Sequence, residues 1–228
     1  MTQQQQFPAP EAPQVTVRGE GRLEVEPELA RIGVSVRARG TGRDAVLAAL
    51  TGRNAEAVAL VKSYGDAVSK LETGALSITP EQAKHGRGER LRGYQGWVRL
   101  SAELTDFTAL GELVTRLADL EWTEVDGPWW ALRPDSPAYA EARRLAVREA
   151  VRRAREYAAA LGGSLVALLE LSDTGLDPMP FGQPRGGGMR MAFAAEAADA
   201  PAPLDLEPQL QQVAADVAAR FVMSPPTL

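Results

Sequence analysis

The sequence has no cysteine and a single histidine in 228 residues. The first absence excludes disulfides, thiolate nucleophiles, zinc–thiolate sites and iron–sulfur clusters together. The second excludes a histidine-rich metal centre. Excess positive charge is also missing, since 25 Lys and Arg stand against 30 Asp and Glu, a net of −5. Binding to a phosphate backbone is driven by concentrated positive charge, so no nucleic-acid partner is expected. Long hydrophobic runs are absent as well. No stretch approaches the ~18 apolar residues that cross a bilayer as a helix, so no membrane span is expected. Met1 to Pro13 shows neither the basic nor the apolar region of a secretory signal, and the expectation is a cytoplasmic protein.

What is present is 45% hydrophobic and 24% charged, an ordinary globular balance that rules out disorder throughout. Residues 1–13 contain four consecutive Gln and three Pro and read as a flexible tail. Residues 14–223 read as one α+β domain, followed by a C-terminal tail at 224–228. Val15, Val17, Leu23 and Val25 alternate around Gly19 and Gly21. Ala30, Ile32, Val34, Val36 and Ala38 then alternate with Arg31, Ser35 and Arg37. Such period-two runs with a polar face predict antiparallel strands wet on one side. From Arg43 to Tyr64 the period turns helical, with Leu47, Leu50, Val58 and Val61 as the buried stripe. Asn54 lies on or near that stripe and is expected to be bonded to a neighbouring loop.

A second block of strands passes through Leu76 and Ile78 and returns through Tyr94, Val98, Leu100, Ala102 and Leu104. Thr105 and Asp106 can cap a short helix carrying Phe107, Leu110, Leu113, Val114 and Leu117. Another strand runs from Trp122 to Leu132, broken at Gly127-Pro128. Asp135-Ser136-Pro137 starts a long helix near 136–161, which Gly162-Gly163 stops. Its expected buried side is Ala142, Leu145, Ala146, Ala154, Ala158 and Leu161. Leu165 to Leu171 is almost continuously apolar and is either a central strand or an extension of the helix, with the preceding Gly pair and the Leu and Val content favouring a strand. Residues 173–208, rich in Gly and Pro and then in Ala and acidic residues, are expected to form a mobile loop. The final segment is Ala-rich, yet Val213, Ala215, Val217, Ala219, Phe221 and Met223 alternate without a break. It is predicted as a strand, because pattern outranks propensity over that length.

No residue constellation names a reaction. His85, in Lys84-His85-Gly86-Arg87-Gly88, has no local nucleophile or orienting partner and reads as a solvated loop side chain. Arg185-Gly-Gly-Gly-Met189 lacks the Lys-Ser/Thr ending of a phosphate loop. Glu24, Glu26 and Glu28 flank a turn rather than converge. No catalytic residue, cofactor or metal ligand is therefore assigned, and the chain is not expected to be an enzyme.

Two features fit an interface. Trp122, Trp129 and Trp130 place three of the four tryptophans within nine residues, and they read either as core with one covered ring or as a protein–protein contact, since Trp is enriched at interface hot spots. If that segment is a strand, adjacent Trp129 and Trp130 must point to opposite faces. The long helix carries Arg143, Arg144, Arg148, Arg152, Arg153 and Arg155 against Glu141, Glu149 and Glu156, a local +3. It is either a solvated face of intrahelical pairs or, through Arg144, Arg148 and Arg152, a docking patch for an acidic protein partner.

With these landmarks placed, the chain resembles the SIMPL-domain family of bacterial proteins, which includes exported immunogenic and oxidative-stress-associated members. The likeness rests on Val15-Thr-Val-Arg-Gly-Glu-Gly-Arg-Leu-Glu-Val-Glu-Pro-Glu-Leu-Ala-Arg-Ile, Asn54, Ile78-Thr79-Pro80 and Arg92-Gly93-Tyr94. It continues through the spaced alanines ending at Leu161-Gly162, and through Leu206-Glu-Pro to Val213, Val217 and Phe221. The resemblance implies an α+β fold of two interlocked β-α-β-β-like lobes. It also implies homo-oligomers, because members build ring- or channel-like assemblies. It brings no catalytic residues. The expectation is a non-enzymatic, self-associating scaffold or interaction protein. Two alternatives stay open: a binding module for a small apolar or peptide ligand gated by residues 173–208, and a hydrolase using paired carboxylates.

Overall fold

The computed structural model describes residues 12–82, 91–173 and 204–227. In chain order the elements are β1 (Gln14–Val25), β2 (Leu29–Gly40), α1 (Arg43–Lys62), β3 (Val68–Gln82), β4 (Leu91–Leu104), α2 (Phe107–Ala118), β5 (Thr123–Ala131), α3 (Pro137–Ala160), β6 (Leu165–Asp173) and β7 (Gln211–Met223). Every strand pair is antiparallel, in two sheets ordered β1-β7-β6 and β3-β4-β2-β5. The fold is α+β with three α-helices among the described residues, and the chain divides into two compact units.

One unit comprises described residues 26–82, 91–133 and 204–209 and holds the four-stranded sheet with α1 and α2. Alternation decides its faces. Ala30, Ile32, Val34, Val36 and Ala38 of β2 lie fully buried beside Val98, Leu100, Ala102 and Leu104 of β4. The intervening Arg31, Arg37, Arg39, Trp97 and Arg99 form the opposite, wetter face. α2 starts where expected: Asp106 Oδ1 accepts the N–H groups of Thr108 (2.9 Å) and Ala109 (3.0 Å). Such a cap contributes about 1 kcal/mol.

α1 buries Val46, Leu50, Ala57 and Val61, whereas Leu47, expected inside, is 46% exposed. The sheet beneath explains the rotation. Gly40 and Gly96 leave space that Val46 fills, since a Cβ on either would lie 3.1–3.2 Å from its methyl groups. The expected partner for Asn54 is also corrected. Its Oδ1 is buried and accepts no hydrogen bond from the described residues.

The other unit comprises described residues 12–25, 134–173 and 210–227, with the chain order β1-α3-β6-β7. The Ala-rich last segment is a strand. β7 pairs with β1 over its whole length, from Gln14 opposite Val222 to Val25 opposite Gln211, and all six alternating residues are buried. Ser136 caps α3 by accepting the Ala138 N–H, Pro137 occupies its first turn, and Gly162 closes it at φ 71°.

The buried side of α3 is purer than the spacing of leucines implied. Ala138, Ala142, Ala146, Ala150, Ala154 and Ala158 form one i, i+4 row, while Leu145 is half-buried and Leu161 is 41% exposed. Opposite that row stand Gly19 and Gly21 of β1. A Cβ on Gly19 would sit 2.1 Å from the Ala146 carbonyl oxygen, and one on Gly21 would sit 2.1 Å from that of Ala142. Glycine on the strand and alanine on the helix thus bring the two backbones into contact. α3 is drawn over β1 and β7 and scarcely touches β6. Leu165–Leu171 is a strand, but the expectation of a central one is corrected, because β6 is an edge strand of its sheet.

Candidate interaction surfaces

β6 carries the most anomalous surface of the described residues. Val166 is 63% exposed, Leu168 53%, Leu169 43% and Leu171 48%. Register explains part of it. Leu168 lies opposite Phe221 and Leu171 opposite Ala219, both buried under α3, so these leucines face the helix side of the sheet. Among the described residues nothing covers them, because α3 sits over the other two strands. Arg153 Nη1 donates to the Arg18 carbonyl on β1, which identifies the helix flank turned to that strand. Val147 and Val151 lie on the opposite flank by helical geometry and look toward the β6 side. Contiguous exposed apolar surface of this kind marks an interaction site far more often than scattered single leucines do. Register shifts at Leu165/Ala167 and Leu168/Glu170 bend this edge, a feature that discourages indiscriminate strand addition.

The tryptophans separate as strand geometry requires. Trp130 packs edge-on against Phe107 of α2, with ring centroids 4.8 Å apart, on the core side of β5. Trp129 turns to the other face, 39% exposed, and its ring lies 3.5 Å from where a Cβ of Gly33 would be. Trp122 precedes the strand at φ 60°, a left-handed conformation rare for a bulky residue. It is 52% exposed, and its carbonyl accepts the Arg37 N–H at 2.8 Å. The Arg53 guanidinium stands 5.6 Å from its ring centroid.

Trp97, the fourth tryptophan, lies apart in sequence from the clustered three. Its signal was available: alternation with Val98 and Leu100 puts Trp97 on the wet face of β4, directly opposite Arg37. Together with Trp122 it lines a groove of about 550 Å³, flanked by Ser35, Arg37, Arg39, Glu81, Gln95 and Arg99.

The basic helix is a solvated face laced by intrahelical pairs. Arg144 pairs with Glu141, and Arg152 bridges Glu149 at 2.7 Å and Glu156 at 2.5 Å. The Arg152 hydrogen bond lowers the Glu149 carboxyl below its ordinary value, and the same carboxylates raise the Arg152 guanidinium. Arg148 has no ion pair among the described residues. These arginines belong to the β1-α3-β6-β7 unit, whereas the tryptophans belong to the other. His85 and Arg185–Met189 lie outside the described residues, as does most of the loop expected at 173–208. No helix of the described residues is long and apolar enough to cross a membrane. Among the same residues no cluster of three or more His, Asp or Glu could hold a metal ion.

A β-α-β-β unit and a larger α+β unit, both built from antiparallel sheets, define the class of protein. The chain belongs to the SIMPL family, described as protein of unknown function (DUF541), which matches residues 15–221. It is also similar to the "26 kDa periplasmic immunogenic protein" of Brucella melitensis biotype 1, with 28% identity over 193 residues. That alignment covers 79% of this chain and 74% of the relative. The protein of the same name from Brucella abortus strain S19 matches to the same extent. These names correct the cytoplasmic expectation, since relatives named periplasmic point to an exported protein. The physical reason is that the composition and packing of a folded domain do not encode its compartment, so the relatives carry this point and the domain's residues do not.

Proposed function

We propose that this protein is a non-enzymatic, self-associating scaffold or interaction protein of the bacterial cell envelope, and that copies meet through β6. The carrying observation is the uncovered run Val166, Leu168, Leu169 and Leu171 on an edge strand. The envelope location follows the relatives named periplasmic. A non-enzymatic role is supported by how the carboxylates are employed. Glu81, Glu103 and Glu124 each pair with an arginine across the open sheet face instead of converging.

A second copy is the occupant we favour, because the same apolar strand on two molecules is self-complementary about a two-fold axis. Fully burying a large apolar side chain contributes about 1.5–3 kcal/mol, so each half-exposed one retains about 1 kcal/mol. Four such residues from each copy supply about 8 kcal/mol, against an association cost of about 4–15 kcal/mol. Self-association is therefore expected to be weak and dependent on concentration.

Light scattering on the full chain tests this reading. Mass should rise with protein concentration up to about 100 μM, a range that reports micromolar association. Leu168→Asp combined with Leu171→Asp should hold the chain at monomer mass with an unchanged circular dichroism spectrum, because both residues are already half in water. A wild-type chain that remains monomeric throughout overturns the proposal, as does a double variant that associates as before.

A further inference from the structure

The groove on the open face of the four-stranded sheet is independent of the β6 edge and has a chemistry of its own. Three guanidinium groups line it, from Arg37, Arg39 and Arg99, against one carboxylate, Glu81. The acids that pair with two of them, Glu124 with Arg37 (2.5 Å) and Asp126 with Arg99 (3.4 Å), are not among the lining residues. The wall therefore presents more guanidinium than carboxylate, although each arginine has a partner. Those pairs are more than a third exposed on both sides, and exposed pairs are weak enough for an incoming carboxylate to replace one. Guanidinium forks match carboxylates in a bidentate fashion.

The second observation is aromatic. Trp97 and Trp122 both line the groove and are 39% and 52% exposed. Trp122 is held there in a left-handed backbone conformation that packing of the core does not require, since the side chain lies largely in solvent. Strain of this type collects at binding and active sites. Gln95 adds a neutral donor and acceptor, and Ser35 is small enough to leave the floor open. At about 550 Å³ the groove has the size of small-molecule sites.

We infer that this groove binds a small planar aromatic carboxylate, the indoles stacking on its ring and Arg37 or Arg99 holding its anionic group. An aliphatic acid would lack the stacking, and a neutral arene would lack the fork.

The test is titration of the full chain with 2-naphthoate, followed by calorimetry and by tryptophan fluorescence. Saturable binding of one equivalent is expected below about 1 mM. Affinity should fall at least about tenfold for 2-naphthalenemethanol and for cyclohexanecarboxylate, because each lacks one of the two recognition elements. Arg37→Gln with Arg99→Gln should abolish binding while leaving the far-ultraviolet spectrum unchanged, as both side chains are exposed. Trp122→Gly separates ligand binding from folding. Glycine adopts φ 60° freely, so the fold should be retained or strengthened while naphthoate binding weakens. Absence of saturable binding overturns the inference. So does equal affinity for the alcohol, or full affinity in the double arginine variant. Tighter binding of a non-aromatic acidic peptide than of naphthoate overturns it as well.

Discussion

At the scale of single residues, the surface chemistry of α3 is set by the spacing of its charges. Arg152 lies three residues after Glu149 and four before Glu156, so one guanidinium reaches both. Glu149 titrates below its ordinary value chiefly because Arg152 hydrogen-bonds its ionised form. A depressed carboxyl contributes stability above its unfolded-state value and loses that contribution as pH falls through its folded-state value. Because the pair is exposed, the effect is small and screened by salt. In Arg152→Ala the Glu149 carboxyl should titrate upward, toward its ordinary value, in carbon-detected NMR. An unchanged titration would mean that the pair does not persist in solution. The same residue scale shows why the basic patch was only half readable from composition. A count of +3 along the helix does not reveal which arginines are already engaged, whereas the i, i+3 and i, i+4 offsets to Glu149 and Glu156 do.

Elements show where small residues act. The alanine row of α3 and the two glycines of β1 form one interface, and neither half explains the other alone. Gly19→Val places a branched side chain where even a Cβ would meet the Ala146 carbonyl at 2.1 Å. Backbone on both sides cannot yield cheaply, so the loss should reach about 3 kcal/mol or more, at the upper end of overpacking costs. Urea denaturation followed by circular dichroism measures it, and a loss below about 1 kcal/mol would mean that α3 can move away from β1. Strands and helix starts were legible because their signals are local. Alternation on β2, β4 and β7, the Asp106 cap and the Ser136-Pro137 start each need only a few neighbouring residues. β6 was not legible in the same way. An unbroken apolar run states that a strand is greasy but not which neighbour covers it, and here the neighbour was pulled aside by Gly19 and Gly21.

For the whole molecule, association and stability are linked. If folded copies associate through β6 and unfolded ones do not, mass action stabilises the folded state and Tm rises with protein concentration. Scanning calorimetry across a hundredfold concentration range should show that rise in the wild type and a constant Tm in the Leu168→Asp, Leu171→Asp variant. A constant wild-type Tm would argue against association of the native state. Local pattern alone established the α+β class, the strand nature of the Ala-rich last segment, the opposite facing of Trp129 and Trp130, and the lack of thiol chemistry. These follow from periodicity and composition, which act over a few residues. Tertiary structure decided that Trp97 joins Trp122 and three arginines in one groove, and that β6 lies at a sheet edge with its leucines exposed among the described residues. Both depend on contacts between segments far apart in the chain, where backbone proximity at Gly19 and Gly21, not hydrophobicity, determines which surface is covered.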